Sequence, residues 1–292
     1  MSQGQLLSRD GTHVTYWVEG VARTDAPALV LINGLTTNTR FWDHLLPQWS
    51  RRHRVLMWDL PGHGASGPAQ SRAAATIQGQ PEILTQVMDA AGIERAVQIG
   101  WSTGSQVMFE LYRSAPARCL GLVSLLGSAG HVLDTARLPV PGAAIDWLAQ
   151  HVPRPVWSGA TFALSRATNN RAGHAVGRAL GLLGKGAAAQ DVRNITEHLC
   201  IMHPPTVQTM VHSAQAQSAT DLLGQLTVPL LIVTGDRDPF APADTVGLPM
   251  HEAAPGSELL RLQNATHTAL LDHAGEIADA VESFIARRCS AR

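Results

Sequence analysis

The sequence predicts an α/β fold, with a mostly parallel central sheet flanked by helices and an inserted, mainly helical cap. Three observations point to it. Short apolar runs alternate with segments of helical periodicity through residues 12–125, and again after residue 228. One of those runs ends abruptly at Gly100-Trp101-Ser102-Thr103-Gly104, with a helical stripe directly behind it. Between the two alternating regions, residues 134–220 offer no clear apolar strand, a break too long for a single loop.

Taken in order, Thr12–Val18 is expected to be a strand. Ala28–Ile32 is a second, a continuous apolar run of the kind a sheet covered on both faces requires. Phe41–Trp49 suits a short helix, and Arg54–Trp58 a strand that empties into the turn-rich Asp59-Leu60-Pro61-Gly62-His63-Gly64. Leu84, Val87, Met88 and Ala91 recur at helical spacing, with Gly92 placed to close the helix in a left-handed conformation. The strand Ala96–Ile99 follows, then the serine turn, a helix carrying Val107, Met108 and Leu111, and the strand Leu120–Leu125.

In 134–220 the prolines Pro139, Pro141, Pro153, Pro155, Pro204 and Pro205 separate helix-compatible stretches at Ala143–Gln150, Gly173–Leu183 and Asp191–Met202. Strands resume at Val228–Thr234 and Glu258–Leu262, and a last helix buries Ile277, Val281, Phe284 and Ile285. Residues 1–133 and 221–292 would thus form the core domain, and 134–220 the cap.

The 292-residue chain is 45% hydrophobic and only 15% charged, with a formal net charge of −1. Nothing here draws it onto nucleic acid or an acidic membrane surface. The start, MSQGQLLSRDGTHV, lacks the basic and apolar regions of a signal peptide, and no run approaches the length of a membrane span. Cys119, Cys200 and Cys289 are far apart and without metal spacing, which suits reduced thiols in the cytoplasm. Neither composition nor motifs speak to oligomeric state.

The chemistry starts at Ser102. A strand that turns sharply into a helix holds its central residue in a strained conformation, tolerated only with small neighbours two positions away. The hydroxyl is then held at the strand end beside the N–H groups of a helix start. A serine hydroxyl is a weak nucleophile at neutral pH and needs a base, and that base needs an orienting acid. Both should lie after later strands, where a parallel sheet presents its functional loops. Gly235-Asp236-Arg237-Asp238-Pro239-Phe240-Ala241-Pro242 and Asn264-Ala265-Thr266-His267 are so placed, in the order Ser, Asp, His.

At these residues the chain resembles the α/β-hydrolase fold superfamily over nearly its whole length. The motifs are the elbow around Ser102, the acid loop GDRDPFAP, the terminal ATH and the loop DLPGHGAS at 59–66. The resemblance implies a cofactor-free serine hydrolase with Ser102 as nucleophile and His267 as base. It favours Asp238, four residues before Pro242, as the acid over Asp236, which becomes a turn or capping residue. It also implies an oxyanion hole built from the backbone N–H groups of Leu35 and Thr103. Asn33-Gly34-Leu35 stands where the family more often has His-Gly, so the side-chain bracing of that turn differs. Ser105 replaces a frequent second glycine and implies looser helix–strand packing.

Other residues have blander readings. Trp101 either lines the pocket or plugs the elbow against the sheet. Asn33, Trp101, Trp147, Trp157 and Phe162 are candidates for substrate binding, although cap aromatics more often form a small domain's own core. His63 reads as structural, and His273 as a surface residue of the last helix. His198, His203 and His212 form no metal-binding face, so no metal is expected. Gly184-Lys185-Gly186 lacks the residues of a phosphate loop.

The expected activity is hydrolysis of a carboxylic ester, or a related acyl bond, of a small and largely apolar substrate. Lactone opening, thioester cleavage and C–C bond hydrolysis would use the same groups. An acyltransferase, or a non-catalytic binder of small ligands, is the alternative of another class.

Overall fold

The computed structural model describes residues 1–23 and 25–289, so the last three residues of the span 221–292 lie outside the described residues. Eight strands form one sheet: β1 (Ser2–Leu7), β2 (His13–Glu19), β3 (Ala28–Ile32), β4 (Val55–Trp58), β5 (Ala96–Trp101), β6 (Cys119–Leu125), β7 (Leu230–Gly235) and β8 (Glu258–Leu262). Their order across the sheet is β1-β2-β4-β3-β5-β6-β7-β8. The β1–β2 and β2–β4 pairs are antiparallel, and every later pair is parallel. β1 is an edge strand that the sequence pattern did not announce. Its residues are mostly exposed, so no buried alternation marks it.

The helices are α1 (Leu46–Trp49), α2 (Gln80–Ala90), α3 (Thr103–Ser114), α4 (Gly142–His151), α5 (Arg154–Thr168), α6 (Arg171–Ala179), α7 (Ala189–Ile201), α8 (Pro204–Ala216), α9 (Thr220–Leu223), α10 (Leu248–Ala253) and α11 (Ala274–Arg288). Alternation along β3 shows why a continuous apolar strand was needed. Val30 and Ile32 pack with Ile83, Leu84, Val87 and Met88 of α2 and with Val107, Met108 and Leu111 of α3. Leu29 and Leu31 point the other way, into the cluster that holds Trp42, Trp49 and the stripe Ile277, Val281, Phe284 and Ile285 of α11. Burying both faces of the same strand removes apolar surface twice, at roughly 25 cal/mol per Å². Gly92 closes α2 with φ +63°, as its place after the apolar stripe implied.

The helical insertion holds two helices the sequence reading did not foresee, α5 and α8. Their prolines looked like separators. In the structure, Pro155 sits at the start of α5 and Pro204 and Pro205 begin α8, where a missing N–H costs no helical hydrogen bond.

Topology places the functional edge. The chain leaves β3 for β4 on one side and later returns to β5 on the other side of β3. The loops after β3 and β5 therefore diverge and open a crevice at the carboxyl ends of these strands, the usual ligand position in an open parallel sheet. Residues 33–35 and Ser102 lie there.

Candidate active site

Ser102 sits between β5 and α3 with φ 55° and ψ −125°, strain that a non-glycine residue adopts only when its surroundings enforce it. Those surroundings are the two glycines. A Cβ on Gly104 would lie 2.2 Å from the Ile32 carbonyl oxygen, and one on Gly100 would lie 2.4 Å from the Gly104 carbonyl oxygen. Only bare backbone lets the start of α3 press this closely on β3 and β5. Ser102 caps α3 without a side-chain bond to the helix, so its oxygen stays free for other partners.

That partner is His267. Its Nε2 lies 2.9 Å from Ser102 Oγ, and its Nδ1 lies 3.0 and 2.9 Å from the two carboxylate oxygens of Asp238. An ionised carboxylate only accepts, so Nδ1 carries the imidazole proton and Nε2 turns its lone pair to the serine hydroxyl. The Asp238 side chain is fully buried, and its Oδ1 also accepts the N–H groups of Phe240 and Ala241. Those bonds fix the orientation of the carboxylate toward the histidine. Asp236 lies in the turn just after β7, and its Oδ1 is buried with no hydrogen-bond partner among the described residues. It makes no contact of this kind with His267.

The residues expected to form the oxyanion hole meet across the crevice, with an added feature. The Leu35 N–H donates to the Thr103 hydroxyl at 2.6 Å. Thr103 begins α3, so its own N–H has no carbonyl partner within the helix. Gly34 is required between them, because a Cβ there would lie 2.4 Å from the Trp101 ring.

The side chain of Asn33, a substrate-binding candidate in the sequence, is committed to protein partners instead. It is buried, its amide nitrogen donates to the Trp58 carbonyl at 2.9 Å, and its oxygen accepts Trp42 Nε1–H at 2.6 Å. Asn33 thus braces the turn after β3 through Trp42, a partner the sequence offered no signal to find. Asp59 completes the brace by accepting the N–H groups of Thr39 and Ala65, while burial pushes its carboxyl up to about 6.

Trp101 takes the packing role. Its ring lies between Phe41 and His267, tilted by 42° and 41° with centroids 4.1 and 5.0 Å away, and its Nε1–H donates to the His267 carbonyl at 3.1 Å. It holds the base in place from behind. Phe240 flanks the same imidazole at 4.7 Å, a neighbour not singled out in the sequence.

The aromatic side chains of the helical insertion do not converge on this point. Trp147 is 57% exposed and stacks on His151 one turn along α4, and Phe162 is 53% exposed beneath the Arg166 guanidinium. Both point to solvent, so neither lines the site. Trp157 is half-buried, its indole nitrogen without a partner among the described residues. Ser105 also departs from expectation: it is fully buried, donating to the Gly100 carbonyl at 2.9 Å and accepting from Ser124, so the helix start is tied to the sheet.

The insertion touches three loops at this edge. The His267 N–H donates to the Gly181 carbonyl, the Arg137 N–H to Pro239, and the His203 N–H to Gly62. Gly184 and Gly186 donate to Thr268 and Asp272, a structural use of the Gly-Lys-Gly segment. A groove of about 740 Å³ between the α4–α5 turn and the start of α8 is lined by Arg72, Arg154, His203 and His212, and by none of Ser102, Asp238 and His267. No cluster of three or more metal-ligating side chains exists among the described residues.

His63 and His198 form a second junction of insertion and core, with rings 5.8 Å apart. Burial pushes His63 down to about 4; burial, then the neighbouring His63, pushes His198 down to about 3. Both are neutral in the folded protein at pH values where the unfolded chain binds protons, so their contribution to stability is full above about pH 6.5 and drains as pH falls toward 4. Asp59 acts oppositely over roughly pH 6 to 4, but it is one group against two. The melting temperature is therefore expected to fall by several degrees between pH 7 and pH 4.5. Among the described residues neither ring nitrogen of His198 has a partner of good hydrogen-bond geometry, the Thr37 backbone being its nearest polar influence. His198→Leu should therefore flatten that slope without lowering the pH 7 value. Calorimetry across the pH series checks this, and an unchanged slope would refute it.

Comparison with known proteins agrees with the fold. The chain is 29% identical over 276 residues to a pimeloyl-[acyl-carrier protein] methyl ester esterase of Pectobacterium atrosepticum, covering 92% of this chain and 97% of that protein. A protein of the same name from Xylella fastidiosa is 28% identical, over 89% of this chain and 95% of the other. Among solved structures, a hydrolase from Pseudomonas aeruginosa superposes with a TM-score of 0.78 at 24% identity, covering 97% and 98% of the two chains. An enol-lactonase from Burkholderia xenovorans does so with 0.74 at 19%, covering 97% and 99%. The family model for the alpha/beta hydrolase fold matches residues 27–274, most of the chain and every loop of the site described above, and the protein belongs to that family.

Proposed function

We propose that the protein is a serine hydrolase that cleaves the carboxylic ester of a small, largely apolar acyl substrate through an acyl-enzyme. The observation that carries this reading is the unbroken chain of hydrogen bonds from buried Asp238 through His267 to Ser102. The ester-cleaving relatives, at 28–29% identity over most of both chains, support ester over other acyl bonds.

In this reading His267 Nε2 takes the Ser102 proton as Oγ attacks the carbonyl carbon. The carbonyl electron pair moves onto oxygen, facing the crevice between Leu35 and Thr103. Asp238 stabilises the imidazolium that results. Collapse of the tetrahedral intermediate expels the alkoxide, which takes the proton back from Nε2. Water, deprotonated by the same nitrogen, then attacks the acyl-enzyme and releases the acid. Residues 134–220 act as the cap in this scheme, a role supported by their contacts with the loops after β4, β7 and β8. No helix among the described residues is long and apolar enough to cross a membrane, and the three cysteines are free, which supports a reducing compartment such as the cytoplasm.

The test is a substrate panel of methyl and p-nitrophenyl esters of graded acyl length, set against matched lactones and thioesters. Esters are expected to give the highest kcat/KM, by about tenfold or more. Preference for a lactone or thioester by a similar margin would overturn the ester assignment.

A further inference from the structure

The hydrogen bond between Leu35 and Thr103 alters how the oxyanion hole works. An amide already bonded to a protein oxygen is not a free donor for substrate. Thr103 Oγ1 takes the Leu35 N–H at 2.6 Å, within the site and one residue from the nucleophile. A threonine hydroxyl has one donor and two acceptor positions, and this one makes no donated bond among the described residues. Its side chain is almost fully buried, so solvent does not readily supply an acceptor.

We propose that the Thr103 hydroxyl is itself an oxyanion donor, relaying the polarisation of the Leu35 amide to the substrate oxygen. The Leu35 N–H holds Oγ1, and the Thr103 O–H and N–H together face the oxygen on which negative charge develops. Accepting a bond makes a hydroxyl a stronger donor, and the gain is largest toward a full negative charge. The bond is weak to a neutral ester carbonyl and strong to the tetrahedral intermediate, so it acts on kcat more than on KM. The arrangement needs a hydroxyl directly after the nucleophile, which serine supplies and valine or alanine does not.

The inference rests on the ester-hydrolase reading, and the experiment separates the two. Wild type, Thr103→Ser and the near-isosteric Thr103→Val are compared for steady-state ester hydrolysis and for inhibition by a trifluoromethyl ketone, which forms a tetrahedral adduct with the serine. Thr103→Val is expected to lose about a hundredfold in kcat with KM within about threefold, and to bind the ketone more weakly by a similar factor. Thr103→Ser should remain within a few-fold of wild type in both. Equal or higher activity in Thr103→Val, with undiminished ketone affinity, would overturn the relay and make the hydroxyl a plug that substrate displaces. Should the valine variant not fold, Thr103→Ala against Thr103→Ser gives the same contrast. Absence of any ester turnover in the wild type, with no labelling of Ser102 by a fluorophosphonate, would overturn both readings together.

Discussion

Replacing Ser102 with alanine is expected to lower ester turnover by a factor on the order of 10⁶, leaving only the background of a shaped site. Among the described residues the hydroxyl makes one hydrogen bond, to His267, so its loss removes the nucleophile without undoing a structural network. The strained backbone at φ 55° is imposed by Gly100 and Gly104 and does not depend on the hydroxyl. The melting temperature should therefore stay close to that of the wild type. A p-nitrophenyl butyrate assay, paired with intact-mass detection of a fluorophosphonate adduct, makes the comparison. Retention of more than a few per cent of activity in Ser102→Ala would rule out an acyl-enzyme at this residue.

The second large effect is expected at the acid. Asp238→Asn should cost about 10⁴ in kcat, whereas Asp236→Asn should stay near wild type. The reason is proton geometry. The carboxylate of Asp238 meets Nδ1 with both oxygens, and the N–H groups of Phe240 and Ala241 hold its Oδ1. An amide held by the same N–H groups keeps its oxygen on them and turns its NH₂ toward Nδ1. The imidazole then carries its proton on Nε2 and has no lone pair for the serine. Asp236 makes none of these bonds. Steady-state kinetics of the two variants decides the matter, and greater damage from Asp236→Asn would reverse the assignment.

Much of this site was legible in the sequence, for identifiable reasons. Gly100, Ser102 and Gly104 signal a local backbone requirement, and their spacing is set by sterics within a few residues. The bounds of Ala28–Ile32 are likewise written in a short apolar run, because burial on both faces of the sheet demands it; Glu258–Leu262 has the expected bounds too, although only Leu262 of it is buried. Asp238 was favoured by its position before Pro242 in a known motif, and its contact with His267 accords with that choice.

Other features failed to show because they depend on partners far away in sequence. Asn33 looked available to substrate, yet Trp42 and the Trp58 carbonyl use its amide on both sides. Trp147 and Phe162 looked like a pocket wall because apolar side chains in a helical insertion are usually turned inward, but the helix faces that carry them point to solvent. Pro155, Pro204 and Pro205 read as helix breaks when they are helix starts, since proline permits either and only the hydrogen bonds of the following turn distinguish them.

The sequence by itself determined the class of sheet, the strained serine turn and the residue types needed to activate it. Each of these follows from backbone sterics or from burial over a handful of neighbouring positions. Only the tertiary structure decided that His267 reaches Ser102 across 165 residues of chain and Asp238 across 29, that Trp101 stands behind the base, and that Thr103 occupies the Leu35 amide. Those contacts are set by strand order and by side-chain rotamers in the crevice where β3 and β5 part, and no local pattern encodes them.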